Sequence, residues 1–231
     1  MPVAILFDLD DTLITWNTPP DEVWQEICRR YAAGLEGLFE AINKARDWYW
    51  GDPERHRRGR LNLFEARREV IRLAFSHLGL DSAALADRIA DAYSADREET
   101  ASLVPDATTT LEYLRGRGLR MALITNGGSE MQRAKIRKFG LEPFFDSILV
   151  EGEFGCGKPD NRVFHYTLEK LGVRAENTWM VGDDLERDIA PCRRLGIYAV
   201  WVDGKGTGLS TPGKARPDRI IRNISELRGP A

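Results

Sequence analysis

Cysteine is scarce in this chain. Cys28, Cys156 and Cys192 are odd in number and widely spaced, with no Cys-x-x-Cys pair. That excludes a disulfide framework and a thiolate metal site of ordinary spacing, and the expectation is reduced thiols in a cytoplasmic protein. Long apolar runs are also missing, so no membrane span is expected. The N-terminal apolar stretch is short, lacks a basic leader and meets Asp8 at once, so no signal peptide is expected either. Positive charge is not in excess. The formal net charge of −3 leaves a nucleic-acid partner little to hold, and none is expected. Internal repeats and low-complexity segments are absent.

What remains suits a folded, soluble enzyme-sized chain. At 231 residues, 42% hydrophobic and 30% charged, it is long and apolar enough for one large domain or two small ones. Short apolar runs recur at 3–7, 121–125, 147–150, 178–181 and 198–202. Bounded by polar or glycine-containing turns, they read as buried strands of a parallel sheet. Helical spacing lies between most of them. Leu111 and Leu114 share one face; Phe164, Leu168 and Leu171 stripe another; Leu185, Ile189 and Cys192 repeat that spacing. Strands alternating with helices imply a doubly wound α/β layer, whose ligand site lies beyond the carboxyl ends of the strands.

Residues 16–100 break this alternation. Trp24, Ile27, Cys28 and Tyr31 share a helical face, and Ile71, Ala74, Phe75 and Leu78 share another. The block reads as a helical bundle inserted into an α/β core formed by 1–15 and 101–231. Asp106 is the expected N-cap of the helix that resumes the core. The stretch 203–218, rich in glycine and proline, reads as a loop.

Four motifs fall at predicted strand ends. Asp8-Leu9-Asp10 follows the first strand, and two carboxylates so spaced can converge on a hard cation or divide nucleophile from acid/base work. The bland reading is an acidic turn. Thr125-Asn126-Gly127-Gly128 offers a hydroxyl and backbone amides before a helix, with Ser129 and Gln132 as a capping box; this is either a phosphate cradle or an ordinary turn. Gly157-Lys158-Pro159-Asp160 places Pro159 and Asp160 in a first helical turn, with Lys158 at the site mouth or merely solvated. Gly182 through Asp188 holds Asp183, Asp184, Glu186 and Asp188, more acid than a helix dipole needs.

The ensemble "FDLDDTL…ITNG…GKPD…VGDDLERDI" resembles the haloacid dehalogenase superfamily, on its phosphatase branch. Within it the likeness is to 5′-nucleotidase and N-acylneuraminate-9-phosphatase members. The resemblance implies a Mg²⁺-dependent phosphatase acting on a small phosphorylated metabolite, with residues 16–100 as its cap. It implies Asp8 as the nucleophile that forms an aspartyl phosphate, and Asp10 as general acid/base. Asp8, the Asp10 carbonyl and Asp183 would hold Mg²⁺, with Asp184 and Asp188 supporting them. Thr125, Asn126 and Lys158 would bind the phosphate. Relatives more often carry Ser or Thr where Asp184 stands. Dehalogenases and phosphonate hydrolases of the superfamily lack an acid at the position of Asp10. A phosphomutase or a non-enzymatic scaffold are the alternatives. In the stretch 47–60, Trp48, Tyr49 and Trp50 beside Arg55, Arg57, Arg58 and Arg60 read either as a lid for an anionic metabolite or as core aromatics with solvated arginines.

Overall fold

The computed structural model describes residues 2–32, 34–209 and 216–229. The chain divides into two compact units, Met1–Thr15 with Ser102–Ala231 and Trp16–Ala101.

The first unit is built on a six-stranded sheet of order β5-β4-β1-β6-β7-β8, every neighbouring pair parallel. Its strands are β1 (Ala4–Phe7), β4 (Arg120–Thr125), β5 (Ser147–Val150), β6 (Thr178–Gly182), β7 (Tyr198–Val202) and β8 (Arg219–Ile221). The first five are the apolar runs of the sequence; β1 is buried throughout, as a strand covered on both faces must be. The sixth was not expected, because three residues are too few to show a period. Helices α6 (Ala107–Gly116), α7 (Ser129–Lys138), α8 (Glu151–Phe154), α9 (Asn161–Leu171) and α10 (Ala190–Arg194) connect the strands. Helix α9 buries Val163, Phe164, Leu168 and Leu171 on one stripe and packs on β4 and β5. The predicted helix through Leu185 begins as a wide π turn, Leu185–Ile189, before α10. The predicted loop 203–218 is irregular over 203–209 and 216–218; residues 210–215 lie outside the described residues.

The second unit contains α1 (Pro20–Tyr31), α2 (Leu38–Gly51), α3 (Pro53–Leu61), α4 (Leu63–His77) and α5 (Ala83–Glu99). Trp24, Ile27, Ile42, Tyr49, Ile71, Phe75 and Tyr93 form its core, where the Trp24 and Tyr93 rings stack 3.6 Å apart. Leu78, expected on the buried face of α4, instead caps that helix and is exposed. Two short strands, β2 (Ile14–Trp16) and β3 (Ala101–Leu103), pair where the chain passes between units.

Three capping expectations are overturned. Asp106 precedes α6 with φ 61°, in the left-handed region that Asp tolerates, and its side chain makes no cap hydrogen bond. Ser129 is the first residue of α7 rather than its cap; its hydroxyl donates to Glu153 at 2.7 Å, and Gln132 is engaged elsewhere. Asp160 is the N-cap of α9, accepting from the Arg162 amide, so Pro159 lies before the helix.

Candidate active site

The register of the sheet brings the motifs together. Phe7 pairs with Leu123 on one side and Val181 on the other. Asp8, the next residue, therefore stands beside the ends of β4 and β6, with Thr125 and Asp183 one residue further along. The Asp8 amide donates to the Val181 carbonyl at 2.9 Å, fixing the turn into the motif.

Asp8 is buried, and both its oxygens are engaged. Lys158 Nζ donates to Oδ1 at 2.5 Å, and the Thr12 hydroxyl donates to Oδ2 at 3.2 Å. Lys158 also reaches Asp188 Oδ1 at 2.7 Å. Its backbone is clamped by Asn126, whose amide donates to the Lys158 carbonyl at 2.8 Å while its oxygen accepts from the Lys158 amide at 2.7 Å. The Lys158–Pro159 peptide is cis. The phosphate-cradle candidate is pinned as well: the Gly127 amide donates to buried Glu151 at 3.0 Å.

Asp8, Asp183 and Asp188 each offer an oxygen, all within 4.8 Å of one another. Burial, with neighbouring carboxylates, pushes Asp8 up to about 7 and Asp183 up to about 8. Burial raises Asp188 too. Burial alone would lower Lys158, yet Asp188 and Asp8 hold it above the ordinary lysine range. One ammonium among three buried carboxylates leaves net negative charge in a poor solvent for it. A hard divalent cation with oxygen ligands fits that deficit. Gly182 keeps the space open, since a Cβ there would overlap the Asp188 carboxylate.

Asp188, expected only as a support, is thus part of the carboxylate cluster. Asp184 is not: its side chain caps the π turn, accepting from the Glu186 and Arg187 amides at 2.8 Å. Its own amide donates to Asp188 Oδ2 at 3.2 Å. The Asp10 side chain points to α7, where Lys135 Nζ lies 2.8 Å from Oδ1 and Gln132 Nε2 lies 3.0 Å from Oδ2. Lys135, Gln132, Glu151 and Thr12 were not singled out in the sequence. A lysine and a glutamine three residues apart on a polar helix look solvated, yet both are buried. Trp201 is a further omission; its indole N–H donates to the Asp183 carbonyl at 2.7 Å. Beside Asp183 the core unit opens a cavity of about 420 Å³ that Trp201, Lys205 and Arg222 help to line.

The arginine stretch belongs to the second unit. Tyr49 is buried in its core and Trp50 packs against it, while Arg55 lies 3.6 Å over the exposed Trp48 ring and Arg58 pairs with Glu69 at 2.8 Å.

Residues 3–196 match the family model of the haloacid dehalogenase-like hydrolases. The chain belongs to that family. Over 246 aligned residues this hydrolase is 33% identical to the phosphoserine phosphatase of Thermus thermophilus, with 96% of each chain covered. It is 34% identical over 205 residues to the ribulose-1,5-bisphosphate 5-phosphatase of Halopiger xanaduensis, covering 88% of this chain and 85% of the relative. Its fold is similar to a crystal structure of a 2-haloacid dehalogenase from Pseudomonas syringae pv. Tomato, at a TM-score of 0.64 and 28% identity, over 98% of this chain and 96% of the other. Among the described residues, no helix is long and apolar enough to cross a membrane.

Proposed function

We propose that this hydrolase is a Mg²⁺-dependent, cytoplasmic phosphatase that hydrolyses a small phosphorylated metabolite through an aspartyl phosphate on Asp8. The observation that carries the reading is the pairing of two unlike carboxylates at one strand end. Asp8 sits among cation, hydroxyl and acids, while Asp10 two residues later stands apart from that cluster. An Asp8 oxygen attacks phosphorus as the bond to the alcohol oxygen breaks, and Asp10 gives that oxygen a proton. Asp10 then takes a proton from water as the water oxygen attacks the aspartyl phosphate, which frees phosphate and Asp8. Thr125, the Asn126 amide and Lys158 hold the phosphate oxygens. Asp8, Asp183 and Asp188, with the Asp10 carbonyl, would hold Mg²⁺, which supplies positive charge against the repulsion between carboxylate and phosphate. The cavity beside Asp183 is the place within the core for part of the alcohol. The helical unit, residues 16–100, serves as the cap that selects substrate. Asp10 separates this reading from a dehalogenase.

The test is phosphate release from a panel of phosphorylated metabolites. Chelation should abolish it and Mg²⁺ restore it. Asp8→Asn keeps the shape but not the attacking charge, and should cost on the order of 10³-fold or more in turnover while the fold survives. Near-normal release by that variant, or full activity after exhaustive chelation, defeats the proposal.

A further inference from the structure

Helix α7 carries two buried polar side chains whose partners are not on their own element. Lys135 is 5% exposed, and its ammonium sits on Asp10 Oδ1. Gln132 is 2% exposed, and its amide nitrogen donates both to Asp10 Oδ2 and to the Thr125 hydroxyl oxygen. We propose that Lys135 and Gln132 are positioning residues that lock the Asp10 carboxylate and tie it to the phosphate-binding hydroxyl of Thr125. The proposal rests on the phosphatase reading above and adds two residues to it.

Stability does not account for this arrangement. Burying an ammonium costs several kcal/mol before any pairing, and replacing a buried ion pair by apolar groups is often neutral or stabilising. An apolar residue at position 135 would have sufficed for packing. Asp10 does not need Lys135 to avoid a buried charge, since its side chain is 34% exposed to water. What the pair does achieve is geometric. Two donors on two different oxygens fix both the position and the tilt of the carboxylate, which one hydrogen bond cannot do. A general acid must be held within hydrogen-bond reach of the atom it serves, so this restraint bears on rate.

Gln132 does a second thing. Its amide has two hydrogens, and here both are given away. Because the Thr125 oxygen accepts one of them, its own hydrogen must point elsewhere. It now donates at 3.4 Å to the Asn126 carbonyl, a long bond that a phosphate oxygen can replace. Gln132 therefore sets Thr125 as a donor to phosphate while holding Asp10. One side chain thus joins the group that binds phosphate to the group that moves the proton.

The experiment uses the full chain with Mg²⁺, comparing Lys135→Met, Lys135→Arg and Gln132→Leu with the wild type. Single-turnover release of the leaving group is measured for an alkyl phosphate and for p-nitrophenyl phosphate. Binding of inorganic phosphate is measured by calorimetry. An alkoxide needs a proton and p-nitrophenolate does not. Lys135→Met should slow the alkyl phosphate by about 10–100-fold more than p-nitrophenyl phosphate. It should leave phosphate affinity unchanged, and Lys135→Arg should recover most of the loss. Gln132→Leu should show the same substrate dependence and also weaken phosphate binding several-fold. Equal losses on both substrates, or a fall in melting temperature with normal turnover, would show that the clamp is merely structural. A wild type that cleaves no phosphate ester overturns the phosphatase reading itself.

Discussion

A single methyl group at position 182 tests how tightly the carboxylate cluster is built. Gly182 ends β6, and a Cβ there would overlap the Asp188 side chain, whose oxygens already meet Lys158 and the Asp184 amide. Nothing nearby can give way cheaply, because Asp188 is buried and held on both oxygens. Gly182→Ala should therefore cost about 1–3 kcal/mol by overpacking. It should also shrink the rise in melting temperature that Mg²⁺ produces, since Asp188 is displaced from Asp8 and Asp183. Chemical denaturation with and without Mg²⁺ measures both. An unchanged Mg²⁺ response would mean that Asp188 does not share the cation.

Among the elements, the turn after β4 depends on the segment after β5. The Gly127 amide donates to Glu151, the Gly152 amide donates to the Gly127 carbonyl at 3.0 Å, and Asn126 clamps Lys158. Gly157 lets the pieces approach, since a Cβ there would lie 2.6 Å from the Glu151 carboxyl carbon. Glu151→Ala leaves the Gly127 amide without its partner, a loss of about 1–3 kcal/mol. Because that amide belongs to the phosphate cradle, the inhibition constant of inorganic phosphate should rise by several-fold. A stability loss with unaltered phosphate inhibition would place Glu151 in the scaffold alone. The same elements show why caps were misread. A cap is defined by the backbone angles of one residue and the direction of one side chain, and Asp106, Ser129 and Asp160 each have the right chemistry within two residues of a helix start.

For the molecule as a whole, the metal-free site makes folding depend on pH. Asp8 at about 7 and Asp183 at about 8 lie well above the unfolded carboxylate value of 3.8. The folded chain then binds more protons than the unfolded one between about pH 4 and 8, so stability falls as pH rises through that window, by at most about 1.4 kcal/mol per pH unit for each carboxyl. Mg²⁺ binds the ionised form and should raise the melting temperature more at pH 8 than at pH 5. Thermal unfolding of chelated protein across that range, set against Asp183→Asn, isolates the effect. The variant should gain on the wild type as pH rises; a constant difference between them refutes the assignment.

The sequence by itself determined the α/β layer and where chemistry would gather. Five apolar runs with polar ends could bury their length only as inner strands, and α9 needed only a 3.6-residue stripe to cover them. Such patterns are local and repeat, so they survive without knowledge of distant residues. The same logic placed Asp8, Thr125 and Asp183 at strand ends. Tertiary structure decided what could not repeat. Strands of three residues, such as β2, β3 and β8, take their identity from a partner's hydrogen bonds. The π turn that carries Asp188 into the cluster differs from an α-turn by one residue, a difference its apolar spacing did not reveal. Lys135 read as a solvated helix lysine because its charge is balanced by Asp10, 125 residues earlier. Whether a charged side chain is solvated or buried depends on what the folded chain sets against it, and only the fold brings that partner within reach.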